Sequence, residues 1–371
     1  MKIYLILFIL GGFLSITCLI IEIAAVNSLQ DTSEDYIYDI QKDSNSSSEN
    51  FFKIVSSASI YITMAIGILT YTGFFNNIGG LCVLVTYTAT WLGDVLKMGI
   101  AHPRPFWDDP RIDAMSCPKD FGAPSGHAVI VGTVIFYFFV QFFTKAKILS
   151  LIIALILLVL VGFDRNFMGV HFYFQVILGY AIAFWLVICF VTPRFWELLT
   201  SLNNRIFRLI FVEVFLFMCL GVGIAIYFGR DPEFKDKWKV NFNNKCNGSI
   251  DTETALFNSL SESTSIMIPA GFVIRYYFTL PKFNKNWKFW LCAYSIIIPF
   301  GIIEQICESY AAKLNKIGHF ILFCILRFIA GFYISYITPF ALSKCFKNRE
   351  NSQMNNPNDL SENSMHHEVK L

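Results

Sequence analysis

Residues 148–163 read ILSLIIALILLVLVGF, and apolar stretches of this kind recur along the whole chain. Nothing else in the sequence restricts the fold as strongly. About 17–25 consecutive, mainly apolar residues suffice to cross a bilayer as a helix, and a helix satisfies its own backbone polar groups where water is absent. Candidate spans fall at residues 3–26, 54–75, 78–100, 123–143, 148–163, 172–191, 206–228, 263–280, 289–306 and 317–341. The fifth is short, and the eighth begins inside the polar run SLSESTS. The expected fold is an all-α, polytopic transmembrane helical bundle of about 10 spans. Composition agrees, with 55% hydrophobic residues, 15% charged residues and 39 phenylalanines in 371 positions, a balance foreign to soluble domains.

Lysine and arginine collect in the short segments 144–147, 192–205 and 280–288 and in the tail after 343, which places these segments and the N-terminus on the cytoplasmic side. The acidic stretch 30–50 and the long polar segment 229–262 then lie outside. Both carry an N-x-S sequon, at Asn45 and Asn247, making these the glycosylation candidates. The first apolar run is read as a retained anchor, with a cleaved signal as its rival. The expected organisation is an anchor (or signal) with a polar outer loop at 1–53, a membrane core at 54–191, further transmembrane helices at 192–343 with the outer loop 229–262, and a disordered cytoplasmic tail at 344–371. A net charge of only +2, with basic residues scattered through loops, excludes a nucleic-acid surface. The ten cysteines show no C-x-x-C pair and no zinc spacing. Cys117 and Cys246 both fall outside, where a bridge between them is permitted but not specified.

Three polar clusters interrupt the apolar pattern on that same outer side: KMGIAHPRP at 97–105, APSGHA at 123–128 and RNFMGVH at 165–171. Together they hold Lys97, Arg104 and Arg165, a turn at Ser125 and Gly126 leading into a helix, and two histidines, His127 and His171. A phosphoryl group in transfer spreads charge over three oxygens, so its site needs several fixed donors. Arginine forks suit that task, as does the N-terminus of a helix. One histidine can attack phosphorus while the other protonates the leaving oxygen. Either histidine alone would read as an interfacial cap.

Taken in order, Lys-x6-Arg-Pro, Pro-Ser-Gly-His and Arg-x5-His resemble the three-part signature of the type 2 phosphatidic acid phosphatase (PAP2) superfamily, which includes glucose-6-phosphatases and vanadium haloperoxidases. The resemblance covers about residues 91–180. It implies a PAP2/haloperoxidase-like catalytic core hydrolysing a phosphate monoester without metal or other cofactor. Lys97, Arg104 and Arg165 would bind phosphate, Ser125 and Gly126 would donate hydrogen bonds, His127 would be the general acid and His171 the nucleophile. Asp94, three residues before Lys97, can orient it.

The third motif departs from the usual pattern. Asp164 replaces a serine, and Gln175 replaces the aspartate that accepts the nucleophile's ring N–H, so Gln175 is expected to hold the His171 tautomer without adding charge. Glucose-6-phosphatases carry glutamine there too, in a context similar to HFYFQV, and their sequences also resemble RPFW at 104–107 and the Cys and Gly of CPKDFGAPSGHA. The narrower resemblance implies a sugar phosphate substrate such as glucose 6-phosphate and an endoplasmic reticulum or other endomembrane location, with the site lumenal or extracellular. The alternatives are a lipid phosphate phosphatase, acting on phosphatidate or a sphingoid phosphate, and an inactive scaffold or transporter that kept the fold. The sequence offers no reading of oligomeric state. Phe106 and Trp107 are expected to wall the substrate. Glu22, Arg275, Glu304 and Arg327 are ionisable residues within spans, and such residues need partners or a path to water.

Overall fold

A computed structural model describes residues 2–69, 76–142, 147–192, 205–246, 248–277 and 316–346, with single positions at 288, 292, 295 and 303. Among the described residues every regular element is a helix. In chain order these are α1 (Lys2–Ala24), α2 (Val26–Lys42), α3 (Ser46–Leu69), α4 (Asn76–Ile100), α5 (Pro105–Asp108), α6 (Gly126–Phe142), α7 (Lys147–Phe167), α8 (Tyr173–Val191), α9 (Arg205–Gly229), α10 (Asp236–Lys245), α11 (Thr252–Tyr277), α12 (Lys316–Phe332), a π-helical turn over Tyr333–Ile337 and α13 (Thr338–Phe346).

Among the described residues, four stretches are long and apolar enough to cross a membrane: Leu5–Ala24, Leu81–Asp108, Lys147–Phe167 and Tyr173–Val191. Gly126–Val140 and Val214–Gly229 are shorter apolar helices. On α1 and α7 whole rows of large apolar side chains are exposed, among them Ile9, Phe13, Ile16, Ile152, Ile156 and Val159. Rows of this kind are unstable in water and natural in lipid, so the chain is an integral membrane protein. The ninth apolar stretch, 289–306, lies outside the described residues apart from three single positions, as do Glu304, the Arg275 side chain and the tail after 346.

The centre of the bundle is α4, which packs against α6, α8 and α11, while α8 also receives α1. The face of α1 turned to α8 is small, which brings the two helices close: Gly11 and Gly12 lie against Trp185, and the Ser15 hydroxyl donates to the Ala181 carbonyl at 2.9 Å.

Two expectations are corrected. The outer segment 30–50 is not a loop but mostly the helix α2, because Ser33, Glu34, Ile37 and Gln41 recur on one face and are all buried. Gln41 anchors that face, donating to the Phe167 carbonyl at 2.7 Å and accepting from the Asp113 backbone N–H at 2.8 Å. The eighth helix starts eleven residues before the apolar run, at Thr252 rather than 263. The Asp251 carboxylate caps it by accepting the Thr254 N–H at 2.7 Å. The serines of SLSESTS then pack inside: Ser259, Ser261, Ser263 and Ser265 are buried, and the Ser259, Ser263 and Ser265 hydroxyls return to backbone carbonyls of their own helix.

Candidate active site

The three polar clusters meet at one end of the bundle. Lys97 sits on the last turn of α4, which stops where Ala101 adopts a left-handed φ of 55° and prolines follow at 103 and 105. Arg104 comes next, in extended backbone immediately before α5. Gly126 and His127 open α6, Arg165 ends α7, and His171 lies in the short link to α8. That link turns at Gly169 (φ +71°), where a Cβ would stand 2.3 Å from the Asp113 carbonyl oxygen, so only glycine fits. One cavity of about 420 Å³ is lined by Lys97, Arg104, Gly126, His127, Arg165 and His171.

Each cation is held by a carboxylate. Lys97 Nζ donates to Asp94 at 3.1 Å, in the expected i,i+3 pair, and to Asp120 Oδ2 at 2.6 Å. Arg104 Nη2 donates to the other oxygen of Asp120 at 2.7 Å, and Arg104 Nε to the Asp120 backbone carbonyl at 2.7 Å. Asp120 thus bridges the two cations. Burial alone would raise its carboxyl, yet Arg104 and Lys97 hold it well below the usual carboxylate range. Arg165 pairs with Asp164 through Nε at 2.8 Å and also donates to the Ser56 hydroxyl of α3, whose backbone stands beside the His127 ring. Asp120 and Ser56 carry no motif of their own, and only the fold assigns them to the site.

His171 is almost fully buried. Its Nδ1 lies 2.8 Å from the Gly122 carbonyl, an acceptor, so Nδ1 carries the proton. The lone pair is then on Nε2, where Arg104 Nη1 donates at 3.1 Å. Burial first, then the positive charges of Arg104, Arg165 and Lys97, push the pKa of this imidazole well below the usual 6.5. A neutral ring with Nε2 unprotonated and turned toward a guanidinium is the form a nucleophile needs.

Gln175 does not do what its spacing suggested. Its Nε2 donates to the Pro103 carbonyl at 3.0 Å and its Oε1 accepts from the Phe172 N–H at 3.2 Å, while the tautomer of His171 is set by Gly122. The two features are linked. A Cβ at residue 122 would come within 2.8 Å of Gln175 Oε1 and 2.5 Å of the Pro103 oxygen, so glycine is what lets this carbonyl approach the ring. Ser125 is also placed differently. Its N–H donates to the Gln175 carbonyl at 3.1 Å and its hydroxyl caps α6 at the Ala128 N–H, at 3.4 Å. Gly126, with Lys97 Nζ close by, is the part of that turn lining the cavity.

Phe106 and Trp107 do not wall the cavity. Both are fully buried, packed with Phe121, Phe234, Trp238 and Phe242 beneath α10. Cys117 and Cys246 are joined by a disulfide that ties α10 to the loop bearing Asp120. Beside Arg104, His102 is tied to α1, its Nδ1 lying 2.8 Å from Glu22 Oε1. Asn45 is exposed and caps α3 through its side-chain oxygen, whereas Asn247 lies outside the described residues.

Known proteins align with the region that holds these side chains. Residues 79–198 match the model of the PAP2 superfamily. Phosphatidylglycerophosphatase B of Bacillus subtilis is 38% identical over 133 residues, which is 34% of this chain and 62% of that protein. An undecaprenyl-diphosphatase of Sulfolobus acidocaldarius is 33% identical over 109 residues, 29% of this chain and 51% of that protein. The crystal structure of a transmembrane PAP2-type phosphatidylglycerolphosphate phosphatase from Bacillus subtilis is 25% identical, covering 51% of this chain and 94% of that one, with a TM-score of 0.39. The chain therefore spans between half and two thirds of the length of these curated relatives. The PAP2 segment contains Lys97, Arg104, both histidines and Arg165; α1 to α3 and α9 to α13 lie outside it.

Proposed function

We propose that the protein is a membrane phosphatase that hydrolyses a phosphate monoester through a phosphohistidine. The observation that carries this reading is the state of His171: Nδ1–H is fixed on the Gly122 carbonyl and the Nε2 lone pair faces Arg104 in a cavity that His127 and Arg165 share. Nε2 attacks phosphorus as the ester P–O bond breaks, and His127 gives its proton to the leaving alkoxide. Water then attacks the phosphohistidine, His127 takes its proton, and inorganic phosphate leaves from His171. Lys97, Arg104 and Arg165 carry the charge of the transferring group, which is the task a metal performs in other phosphoryl-transfer sites.

The preferred substrate class is a soluble sugar phosphate such as glucose 6-phosphate. Support comes from the resemblance of HFYFQV, RPFW and CPKDFGAPSGHA to glucose-6-phosphatases, and the cavity is of a size that holds a small molecule. A lipid phosphate is the second reading, because both curated relatives are named for lipid-linked substrates. The Cys117–Cys246 disulfide fits a site facing an oxidising compartment, lumenal or extracellular. The endoplasmic reticulum or a related endomembrane is the proposed location.

The test uses membranes containing the protein, in EDTA, supplied with glucose 6-phosphate or phosphatidate. Wild type releases phosphate from the first faster than from the second. His171→Ala lowers turnover on the order of 10⁴-fold or more, the scale for removing a covalent nucleophile. Equal release by wild type and variant from both substrates would remove the catalytic reading.

A further inference from the structure

Part of the cavity wall is made by a helix outside the segment that matches the PAP2 model. On α11, Glu262, Ser265, Ile266 and Pro269 follow one another at i, i+3, i+4 and i+7, and all four line the cavity. Arg327 and Phe323 of α12 stand on the same wall, with the Arg327 guanidinium 5.9 Å from the Phe323 ring centre. Glu262 is the exception within its neighbourhood. The serines beside it are buried, but its own side chain is exposed, and what it is exposed to is the cavity. Among the described residues its carboxyl group has no hydrogen-bond partner; burial and the carboxylates of Asp94 and Asp120 push its pKa up, against the pull of Lys97 and Arg327.

A carboxylate in this position does not serve the phosphoryl end of a substrate. It accepts hydrogen bonds and donates none when ionised, and phosphate oxygens are acceptors too. Lys97, Arg104 and Arg165 take those oxygens, so the ester's alcohol must extend away from them toward the remaining walls. An acyl chain placed there would strip water from a polar carboxyl group and return nothing. A hydroxyl placed there would satisfy the group in either protonation state, donating to a carboxylate or accepting from a carboxylic acid.

We infer that Glu262 binds hydroxyl groups of the leaving alcohol and so selects polyhydroxylated phosphate monoesters. This rests on the phosphatase reading above and names the part of the site that chooses its substrate class. Ser265, one turn further on, extends the same polar strip, its hydroxyl turned back to the Glu262 carbonyl at 3.2 Å.

The experiment compares glucose 6-phosphate with p-nitrophenyl phosphate, whose leaving group has no further hydroxyl, on the full-length protein in detergent micelles. Glu262→Gln, close to isosteric, lowers the ratio of kcat/KM for the sugar ester to kcat/KM for the aryl ester about tenfold, the scale of one hydrogen bond to a charged group. Glu262→Leu lowers that ratio further. Inhibition by inorganic phosphate, measured on each variant, reports that the phosphate end remains folded. An equal fall with both esters, or no change with either, overturns the role given to Glu262 while leaving a phosphatase in place. If wild type hydrolyses the aryl ester and phosphatidate but not the sugar ester, the polyol selection is overturned. If wild type hydrolyses none of them, the phosphatase reading falls, and the inference falls with it.

Discussion

The pocket around His171 and the cap formed by α10 on α5 both rest on buried side chains, yet they are built from opposite materials. In the pocket, Lys97, Arg104 and Arg165 face Asp94, Asp120 and Asp164, and each cation is paired with a carboxylate. In the cap, α10 lies on α5 through aromatic rings, fixed by a few bonds at its edge. Trp238 Nε1 donates to Asp108 at 2.6 Å, Asn241 to the Trp107 carbonyl at 2.8 Å, and Lys245 Nζ to the Asp109 carbonyl at 2.7 Å. Rings packed this way hold a shape without needing a counter-charge. Paired ions do not gain much stability from burial, since desolvation offsets most of their attraction, but they hold charge ready for an anion. The difference shows how the molecule separates its tasks, with α10 and the disulfide keeping the loop in place and the loop delivering Asp120 to the cations.

Asp120→Asn is the strongest way to break that comparison. It leaves Lys97 and Arg104 buried without the carboxylate that bridges them, and breaking a buried pair from one side costs about 3–5 kcal/mol. The unliganded variant therefore melts well below wild type in thermal denaturation. Inorganic phosphate or vanadate, competing with no carboxylate, binds more tightly, by about tenfold if the relief is about 1.4 kcal/mol, and restores part of the lost stability. Weaker anion binding in the variant would show that Asp120 orients the cations rather than occupying them.

The cap should respond the other way round. Cys117→Ser removes a crosslink between residues 129 positions apart and is expected to cost about 2–5 kcal/mol, visible as a lower melting temperature that reductant reproduces in wild type and does not lower again in the variant. Turnover at temperatures where the variant is folded should fall much less than in His171→Ala, because no cavity-lining cation depends on the disulfide directly. A loss of turnover as large as that of His171→Ala would mean that cap and pocket are one device.

Much of this was legible in the sequence. Apolar periodicity located α1, α4, α6, α7, α8 and α9 closely, since lipid-facing helices write their boundaries in composition. Motif spacing singled out Lys97, Arg104, His127, Arg165 and His171, and the fold brings all five to one cavity. What escaped was whatever depends on chain reversal. Asp120 sits in an irregular loop whose path follows from α10 and the Cys117–Cys246 crosslink, and no local pattern marks it. Glu262 lay at the edge of a polar run that looked like a loop, because serines that return their hydroxyls to their own helix resemble solvated serines when only their identity is known. Phe106 and Trp107 were misplaced for the converse reason: aromatic residues beside a binding arginine suit a substrate wall and a buried core equally well, and α10, which covers them, is more than a hundred residues away.

Gln175 gives the finest test. Read by spacing, it is a weakened aspartate, and restoring the acid should raise the rate. In the fold its amide uses both ends at once, donating to the Pro103 carbonyl and accepting from the Phe172 N–H, and Glu22 lies close enough to accept from it as well. An aspartate cannot donate to the Pro103 oxygen, and it would bring a second carboxylate toward a buried Glu22. Gln175→Asp is therefore expected to lower stability by about 1–3 kcal/mol, the cost of leaving buried polar groups unsatisfied, and to lower kcat several-fold as Gly122 and the ring it holds lose their register. Measuring kcat for this variant beside Gln175→Glu separates the two accounts. A rise in rate with the aspartate would mean that His171 lacks a counter-charge after all and that the Gly122 carbonyl is an incomplete substitute. A fall with both acids would place Gln175 with the cap, as a residue that holds shape by hydrogen bonds that carry no net charge.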